Sequence, residues 1–131
     1  MTGDTVPRAA ERNDLDRVFL VAPSSTDERI AMIARACRGF VYAASLMGIT
    51  GTRDAVSGDA SGLVERVREH TSLPVAVGLG VSNGAQATRV AAFADGVIVG
   101  SAFVRCFGEQ GIPAIRDLTA ELAASVRRPA L

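Results

Sequence analysis

The sequence predicts an α/β fold in which four parallel strands alternate with helices. Four short apolar runs recur along the chain, and each is bounded by turn residues such as glycine or proline. Between these runs, apolar residues recur at helical spacing. The runs are apolar throughout instead of alternating, which predicts strands buried on both faces, as in a parallel sheet. Helices between such strands make the connections right-handed crossovers, so an open doubly wound sheet and part of a (β/α)8 barrel both fit.

The predicted elements follow one another without a linker, so residues 1–131 are expected to form one domain. Ser25 and Glu28 have the spacing of a capping box, as do Asn83 and Gln86, and each pair predicts a helix start. Pro113 is expected at the first position of the last helix. In chain order the predictions are the end of a helix within 1–14, a strand at 18–22, a helix at about 26–37, a strand at 39–44, a loop at roughly 45–60, a helix ending near residue 70, a strand at 74–78, a helix at about 84–93, a strand at 96–100, a short helical turn at about 102–107 and a helix at 113–127.

Composition excludes several classes of protein. Of the 131 residues 48% are hydrophobic and 21% are charged, which is not the composition of a disordered tail. Fourteen basic residues balance fourteen acidic ones, and the aromatic residues are one Tyr and five Phe, so nucleic acid is not an expected partner. No apolar run reaches the roughly 20 residues that span a bilayer, and no apolar signal segment follows Met1. We therefore expect a cytoplasmic protein that does not bind membranes.

The two cysteines, Cys37 and Cys106, belong to no metal-binding or redox pattern. Both are expected to be reduced and buried as small apolar residues. The sequence therefore predicts no metal site.

Glycines cluster where three of the predicted strands end, at Gly48–Gly51, Gly78–Gly80 and Gly100–Ser101. The carboxyl ends of parallel strands form the functional face of such folds. Without a Cβ atom, the backbone N–H groups of glycine can approach an anion closely. The short helix after Ser101 would direct its own unpaired N–H groups at the same anion. Together the motifs predict a phosphate site, although each motif alone would also fit a tight turn.

The position of these glycines favours a barrel over a dinucleotide-binding sheet. Barrels recurrently build a phosphate site from the loops after their last two strands and an extra short helix. A dinucleotide fingerprint would need a third glycine where Asn83 stands, and an acidic residue where Gly100 and Ser101 follow the next strand. We therefore predict half of a TIM (β/α)8 barrel, with four parallel strands and the helices outside.

Four segments resemble the tryptophan synthase α chain family, in the same order and at the same spacing. Phe19–Pro23 is similar to the fifth strand of that family, and Phe40–Gly51 to its sixth strand and the loop that follows. Pro74–Ser82 is similar to the seventh strand, and Ala94–Val104 to the eighth strand and the start of the extra short helix. The resemblance implies the C-terminal half of the barrel, with residues 1–14 as the end of the preceding barrel helix.

The resemblance also implies which residues meet the substrate, indole-3-glycerol phosphate. Its phosphate is expected on Gly51, Gly80, Gly100 and Ser101. Its indole ring is expected in an apolar pocket lined by Tyr42, Thr50, Leu79, Val81 and Ile98, with Thr50 on a loop that closes over the substrate. At Leu46 and Met47 this loop departs from the Arg and small residue of many relatives, a difference that bears on loop closure and on coupling to the β chain.

The family reaction is a lyase reaction that cleaves indole-3-glycerol phosphate to indole and glyceraldehyde 3-phosphate. The resemblance implies no cofactor on this chain, with pyridoxal phosphate only on the β chain partner. The cleavage needs a carboxylic acid and a carboxylate, and in the family both lie on early strands that this sequence does not include. Asp54 and Asp59 are poor substitutes, and His70 is expected at a helix end on the opposite side from the site. The chain is therefore expected to be inactive alone.

Four strands by themselves would leave two sheet edges unpaired and the inner face of the barrel wall uncovered. We therefore expect the chain to self-associate or to pair with an N-terminal half-barrel. Two alternatives stay open: a non-catalytic phosphate-ligand or scaffold half-barrel that pairs with another chain, and a self-dimerising half-barrel that uses Asp54 or Asp59 for an activity of its own.

Overall fold

The computed structural model describes residues 5–45 and 58–127, and all statements about structure below concern those residues. They form four strands and six helices. In chain order these are α1 (Thr5–Arg12), β1 (Leu20–Val21), α2 (Asp27–Ala36), β2 (Val41–Ala44), α3 (Gly58–Arg68), β3 (Val75–Gly78), α4 (Gly84–Ala91), β4 (Gly96–Ile98), α5 (Ser101–Gln110) and α6 (Ile112–Val126).

The strands form one parallel sheet in which the spatial order β1-β2-β3-β4 equals the chain order. In one row across the sheet, Leu20 pairs with Tyr42, Tyr42 with Ala76, and Ala76 with Gly96. A doubly wound sheet reverses its strand order at a switch point, and this sheet does not. Because right-handed connections always turn the same way, an order without reversal leaves the crossover helices on one face, as in a barrel wall. The predicted four parallel strands with helices outside are confirmed.

The two faces of the sheet differ in burial. The outer face, which α2, α3 and α4 contact, buries Val41, Ala43, Val75 and Val77 almost completely. The alternate positions form the inner face, where Leu20 is 56% exposed and the other residues are partly buried. This inner face consists of Leu20, Tyr42, Ala44, Ala76, Gly78, Gly96 and Ile98. The prediction that the strands are buried on both faces is therefore wrong for the described residues, because the helices cover only one face.

The hydrophobic core lies between the outer face and the helices. Leu63, Val64 and Val67 of α3 are each 1% exposed or less, and Ile30 of α2 is fully buried. Their spacing of one, three and four residues places the α3 side chains on one helical face. Leu122 of α6 joins the same cluster, so the last helix is part of the core and not an appendage.

Helix α1 occupies the place where a helix was predicted at the start of the chain. Arg17 joins it to the rest of the fold: its guanidinium contacts Glu11 Oε1 at 3.0 Å and the Ala36 carbonyl oxygen at 2.5 Å. The assignment of residues 1–14 as the end of a preceding barrel helix stays a prediction.

The start of α2 differs from the predicted capping box. The Oγ1 atom of Thr26 accepts a hydrogen bond from Arg29 N at 3.2 Å, so Thr26 and not Ser25 is the N-cap residue. The hydroxyl of Ser25 instead accepts from Ala22 N at 3.0 Å and closes the preceding turn. The hydroxyl group of either residue could have capped the helix. Where Thr26 is the cap, Arg66 Nη2 of α3 also donates to the Ser25 carbonyl oxygen at 2.6 Å.

Helix α5 is longer than the short turn predicted at 102–107. It begins at Ser101 and continues through Gly108 to Gln110. A Cβ atom at Gly108 would meet nothing within 4 Å, so this glycine neither turns the chain nor permits a close contact. Its C-cap residue is Gly111, whose φ of +78° lies in the left-handed region that glycine favours.

None of the helices in the part of the chain that the structure describes is long and apolar enough to cross a membrane.

Candidate functional site

The carboxyl ends of β2, β3 and β4 lie side by side at one edge of the sheet. Ala44, Gly78 and Ile98 are in register there, and Ser45 N donates to the Gly78 carbonyl oxygen at 2.9 Å. We call this the carboxyl edge. The predicted phosphate residues Gly80, Gly100 and Ser101 follow these strand ends directly. Thr50, Gly51, Leu46, Met47 and Asp54 lie outside the described residues.

Gly80 is the residue of the carboxyl edge whose backbone requires glycine. It lies in the turn Leu79–Asn83 between β3 and α4, which we call the β3–α4 turn. Its φ of +86° is in the left-handed region, where a side chain would cost about 1–2 kcal/mol. The residue is exposed, so its backbone is accessible from solvent. An exposed left-handed glycine next to a strand end is suited to present an N–H group to an anion.

The N-terminus of α5 is open. Gly100 is its N-cap residue, and no side-chain hydrogen bond caps the helix there. A Cβ atom at Gly100 would meet nothing within 4 Å, and Gly100 and Ser101 are both exposed. The first turn of a helix carries N–H groups without partners in the helix and a partial positive charge. The start of α5 is therefore suited to receive an anion from solvent.

The N-terminus of α4 contrasts with that of α5, because the protein itself satisfies it. Asn83 Oδ1 accepts a hydrogen bond from Gln86 N at 2.9 Å, as the predicted capping box requires. The Gln86 side chain, only 2% exposed, accepts from Ser82 N at 2.8 Å. The carboxylate of Glu121 accepts from Gly84 N at 2.6 Å. The two helix starts near the carboxyl edge therefore differ: one is filled by protein groups and one has no side-chain cap.

Tyr42 and Gly78 form a close contact on the inner face. A Cβ atom at Gly78 would lie 2.6 Å from Tyr42 Oη and 2.9 Å from Tyr42 Cε1, so glycine at this position permits the ring to lie there. Ile98 is in register with Gly78 on the neighbouring strand and is partly exposed. The structure thus places Tyr42 and Ile98, two of the predicted pocket residues, on the same inner face on opposite sides of β3.

The other two described pocket residues lie elsewhere. Leu79 and Val81 are 3% and 2% exposed and belong to the hydrophobic core cluster. The described residues leave little of either side chain for a ligand to contact. Their assignment to a substrate pocket stays a prediction.

Two described carboxylates, Asp95 and Asp27, have structural partners. Asp95 Oδ2 accepts from Val75 N at 2.9 Å and pairs with Arg68 at 3.1 Å. Asp27 pairs with Arg66 at 2.8 Å, next to the start of α2. Asp59 is an exposed residue in the first turn of α3. Among residues 5–45 and 58–127 no three His, Cys, Asp or Glu side chains are placed to hold a metal ion.

The two cysteines are both free thiols, as expected, but they differ in exposure. Cys37 is buried, whereas Cys106 is partly exposed, so the prediction that both are buried is wrong for Cys106. Burial raises the pKa of the Cys37 thiol, against smaller opposite effects of the Phe19 backbone and the Arg17 charge. Cys37 is therefore a core residue and no candidate nucleophile.

We expect the two thiols to react at very different rates with a thiol reagent at pH 8. Cys106 should react at once, and Cys37 only as fast as the fold opens, because it is buried and protonated. A raised pKa also means that unfolding releases a proton from Cys37 at high pH, so stability should fall as pH rises above about 8.5. The measurement uses a Cys106→Ser variant, in which only Cys37 remains. Labelling of the folded variant at the rate of a free thiol would contradict the prediction that Cys37 is protected.

Comparisons with known proteins match one family along almost the entire chain. The family model described as tryptophan synthase alpha chain matches residues 2–128. The tryptophan synthase alpha chain of Acidothermus cellulolyticus is 62% identical over 123 residues, which cover 92% of this chain and 46% of the relative. That of Mycobacterium avium is 60% identical over 122 residues, covering 93% and 45%. The chain thus spans about half the length of the curated relatives it matches.

Solved structures of this family also superpose on the chain over about half of their own length. A structure of Mycobacterium tuberculosis tryptophan synthase in space group F222 superposes with a TM-score of 0.86 at 53% identity, covering 98% of this chain and 50% of that one. The tryptophan synthase alpha-subunit of Pyrococcus furiosus, a D146A mutant, superposes with a TM-score of 0.77 at 32% identity. The architecture is therefore that of half a barrel, as predicted from the strand ends.

Proposed function

Because the chain belongs to the tryptophan synthase α chain family, we propose that it supplies the phosphate-binding half of such a chain. The observation that carries the proposal is the pair of features at the carboxyl edge: the exposed left-handed Gly80 and the open N-terminus of α5. The family reaction converts indole-3-glycerol phosphate to indole and glyceraldehyde 3-phosphate. In this proposal the described residues bind and orient the substrate.

The phosphate would be held mainly by backbone groups. Gly80 and Gly100 allow the backbone to approach a dianion without an intervening side chain, and Ser101 adds the first N–H group of α5. Gly51 would contribute a further backbone group from the loop after β2. Hydrogen bonds to a charged acceptor contribute about 1.5–3 kcal/mol each, so a few suffice for specific binding.

The indole ring would lie on the inner face of the sheet. Tyr42 and Ile98 offer partly exposed apolar surface next to the phosphate residues. We propose that Thr50, Leu79 and Val81 complete the pocket when the rest of the barrel encloses it. Exclusion of water by the second half would strengthen the contacts to the phosphate.

The cleavage itself needs groups that this half does not provide. Breaking the bond between the indole ring and the glycerol carbon requires a proton for the ring carbon and a base for the glycerol hydroxyl. Among the described carboxylates, Asp95 and Asp27 form ion pairs with arginines of α3. We propose that the catalytic carboxylates come from an N-terminal half-barrel and that the chain alone is inactive.

The partners follow from the same proposal. The inner face and the open edges of β1 and β4 would be covered by an N-terminal half-barrel or by self-association, which removes the unpaired strand edges. The tryptophan synthase β chain, with its pyridoxal phosphate, would be the partner of the completed barrel. The cytoplasmic location expected from the sequence is part of this proposal.

A complementation assay tests the proposed function. The chain is mixed with the N-terminal half of the Acidothermus cellulolyticus relative, and indole release from indole-3-glycerol phosphate is measured. We expect no indole from either half alone and indole from the mixture. Indole release by the chain alone would refute the proposal of inactivity. Formation of a folded complex that binds phosphate but releases no indole would assign the chain to a non-catalytic scaffold instead.

A further inference from the structure

The carboxylate of Glu121 reaches the start of α4 from a distant part of the chain. Its Oε2 atom accepts a hydrogen bond from Gly84 N at 2.6 Å, across 37 residues of sequence. Gly84 is the first residue of α4, directly after the β3–α4 turn. We infer that Glu121 is a positioning residue that fixes the β3–α4 turn and thereby the backbone of Gly80. This inference rests on the proposed role of Gly80 in binding phosphate.

Helix α6 is held against α4 closely enough to make this contact. A Cβ atom at Gly84 would collide with Ser125 Oγ and would lie 3.1 Å from Glu121 Cγ, so glycine permits the approach. Thr88 Oγ1 of α4 donates to the Ser125 carbonyl oxygen at 3.0 Å, one helical turn further along. Leu122, next to Glu121, is 7% exposed and packs in the core. The Glu121 side chain therefore starts from a rigid backbone.

The β3–α4 turn is fixed at both of its ends. At one end β3 is hydrogen-bonded into the sheet, where Gly78 pairs with Ala44 and Ile98. At the other end Gln86 Oε1 accepts from Ser82 N at 2.8 Å, and Glu121 accepts from Gly84 N. Between these supports lies Gly80, whose left-handed conformation is only one of several that glycine adopts freely, so its neighbours must fix it. Of the side chains that accept these hydrogen bonds, only Glu121 comes from outside the turn and α4.

Charge gives Glu121 a second effect. A carboxylate at a helix N-terminus neutralises the partial positive charge of that end. Glu121 thus fills the start of α4, whereas the start of α5 has no side-chain cap at Gly100. Of the starts of α4 and α5, only that of α5 is therefore left without a side-chain cap for an anion at the carboxyl edge.

The test compares Glu121→Ala with Glu121→Gln in the 131-residue chain. Glutamine keeps an oxygen that accepts from Gly84 N, and alanine does not. We expect Glu121→Ala to weaken binding of glycerol 3-phosphate about tenfold by calorimetry, and Glu121→Gln to restore most of that loss. Glu109 of α5 is an exposed carboxylate that lines the same cleft between α5 and α6 as Glu121, so Glu109→Ala is the matched control and should leave the affinity unchanged.

A second readout does not depend on phosphate binding. In the ligand-free protein, Glu121→Ala should shift the backbone amide signals of Gly80 and Ser82, and Glu121→Gln should shift them much less. Should Glu121→Ala fail to fold, Glu121→Asp takes its place, since the shorter side chain keeps the charge but loses reach. Unmoved signals of Gly80 and Ser82 would overturn the inference.

Affinity can also contradict the inference directly. If Glu121 acted only as a nearby negative charge, Glu121→Ala and Glu121→Gln would both bind the anion more tightly. If the parent chain binds no glycerol 3-phosphate at all, the proposed function fails, and the amide shifts of Gly80 still decide whether Glu121 positions the turn.

Discussion

Gly80→Ala is expected to weaken phosphate binding by roughly 10- to 150-fold, the equivalent of one charge-assisted hydrogen bond of about 1.5–3 kcal/mol. The φ of Gly80 is +86°, a conformation that alanine adopts only at a cost of about 1–2 kcal/mol. The backbone would relieve this strain by turning its N–H group away from the anion. Stability should therefore fall together with affinity, and both are measured on the same sample by thermal melting and calorimetry.

Gly62→Ala is the matched control for that variant. Gly62 lies inside α3, and a Cβ atom there would meet nothing within 4 Å. Replacing a helical glycine by alanine stabilises a protein by about 0.5–1 kcal/mol. We expect Gly62→Ala to raise the melting temperature and leave phosphate affinity unchanged. Equal affinities of Gly80→Ala and the parent chain would show that the β3–α4 turn does not contact the anion.

Leu63→Ala is expected to lower the free energy of unfolding by about 3–4 kcal/mol. Leu63 is 1% exposed and lies in the core between α3 and the sheet, where a cavity would be surrounded by packed side chains. Domains of this size are stable by only about 5–15 kcal/mol, so one such loss removes a large part of the total. Urea unfolding followed by circular dichroism measures the change.

The control for the core variant is Met32→Ala, which removes a side chain of similar size that is 50% exposed. Its effect should stay within about 0.5 kcal/mol, as for other surface substitutions. Equal destabilisation by Leu63→Ala and Met32→Ala would contradict the described packing of α3 on the outer face.

The sequence predicted the parallel sheet because each strand is a continuous apolar run between turn residues. The apolar pattern of the strands does not show that the inner face is uncovered, since residues such as Leu20 and Tyr42 have the same pattern whether a second half of a barrel covers them or not. That expectation came from the number of strands, because four strands cannot close a barrel. The residues of β1 illustrate a related point. The run 18–22 was predicted as a strand, but regular pairing with β2 involves only Leu20 and Val21.

Local signals predicted the helix starts only in part. Asn83 caps α4 as predicted, and the neighbouring Ser82 instead donates its N–H group to Gln86 Oε1. At α2 both Ser25 and Thr26 carry a hydroxyl group, and the choice between them accompanies a contact with Arg66 from another helix. Such long-range contacts have no signature in the local sequence.

The candidate site, too, was predictable only where local sequence signals mark it. Gly80 and the Gly100–Ser101 pair could be found from glycines at strand ends. The contact of Glu121 with Gly84 could not, because it joins residues 37 positions apart and neither belongs to a motif. A signal in hindsight is Gly84 itself, a glycine at a helix start that already has a capping residue in Asn83.

Amide chemical shifts during a titration with glycerol 3-phosphate test the central claim most directly. The account predicts saturable shifts at Gly80, Gly100 and Ser101, and little change at Gly84, whose N–H group already donates to Glu121. Signals of Gly80, Gly100 and Ser101 that stay unmoved in a folded sample would contradict it, as would shifts centred on Gly84.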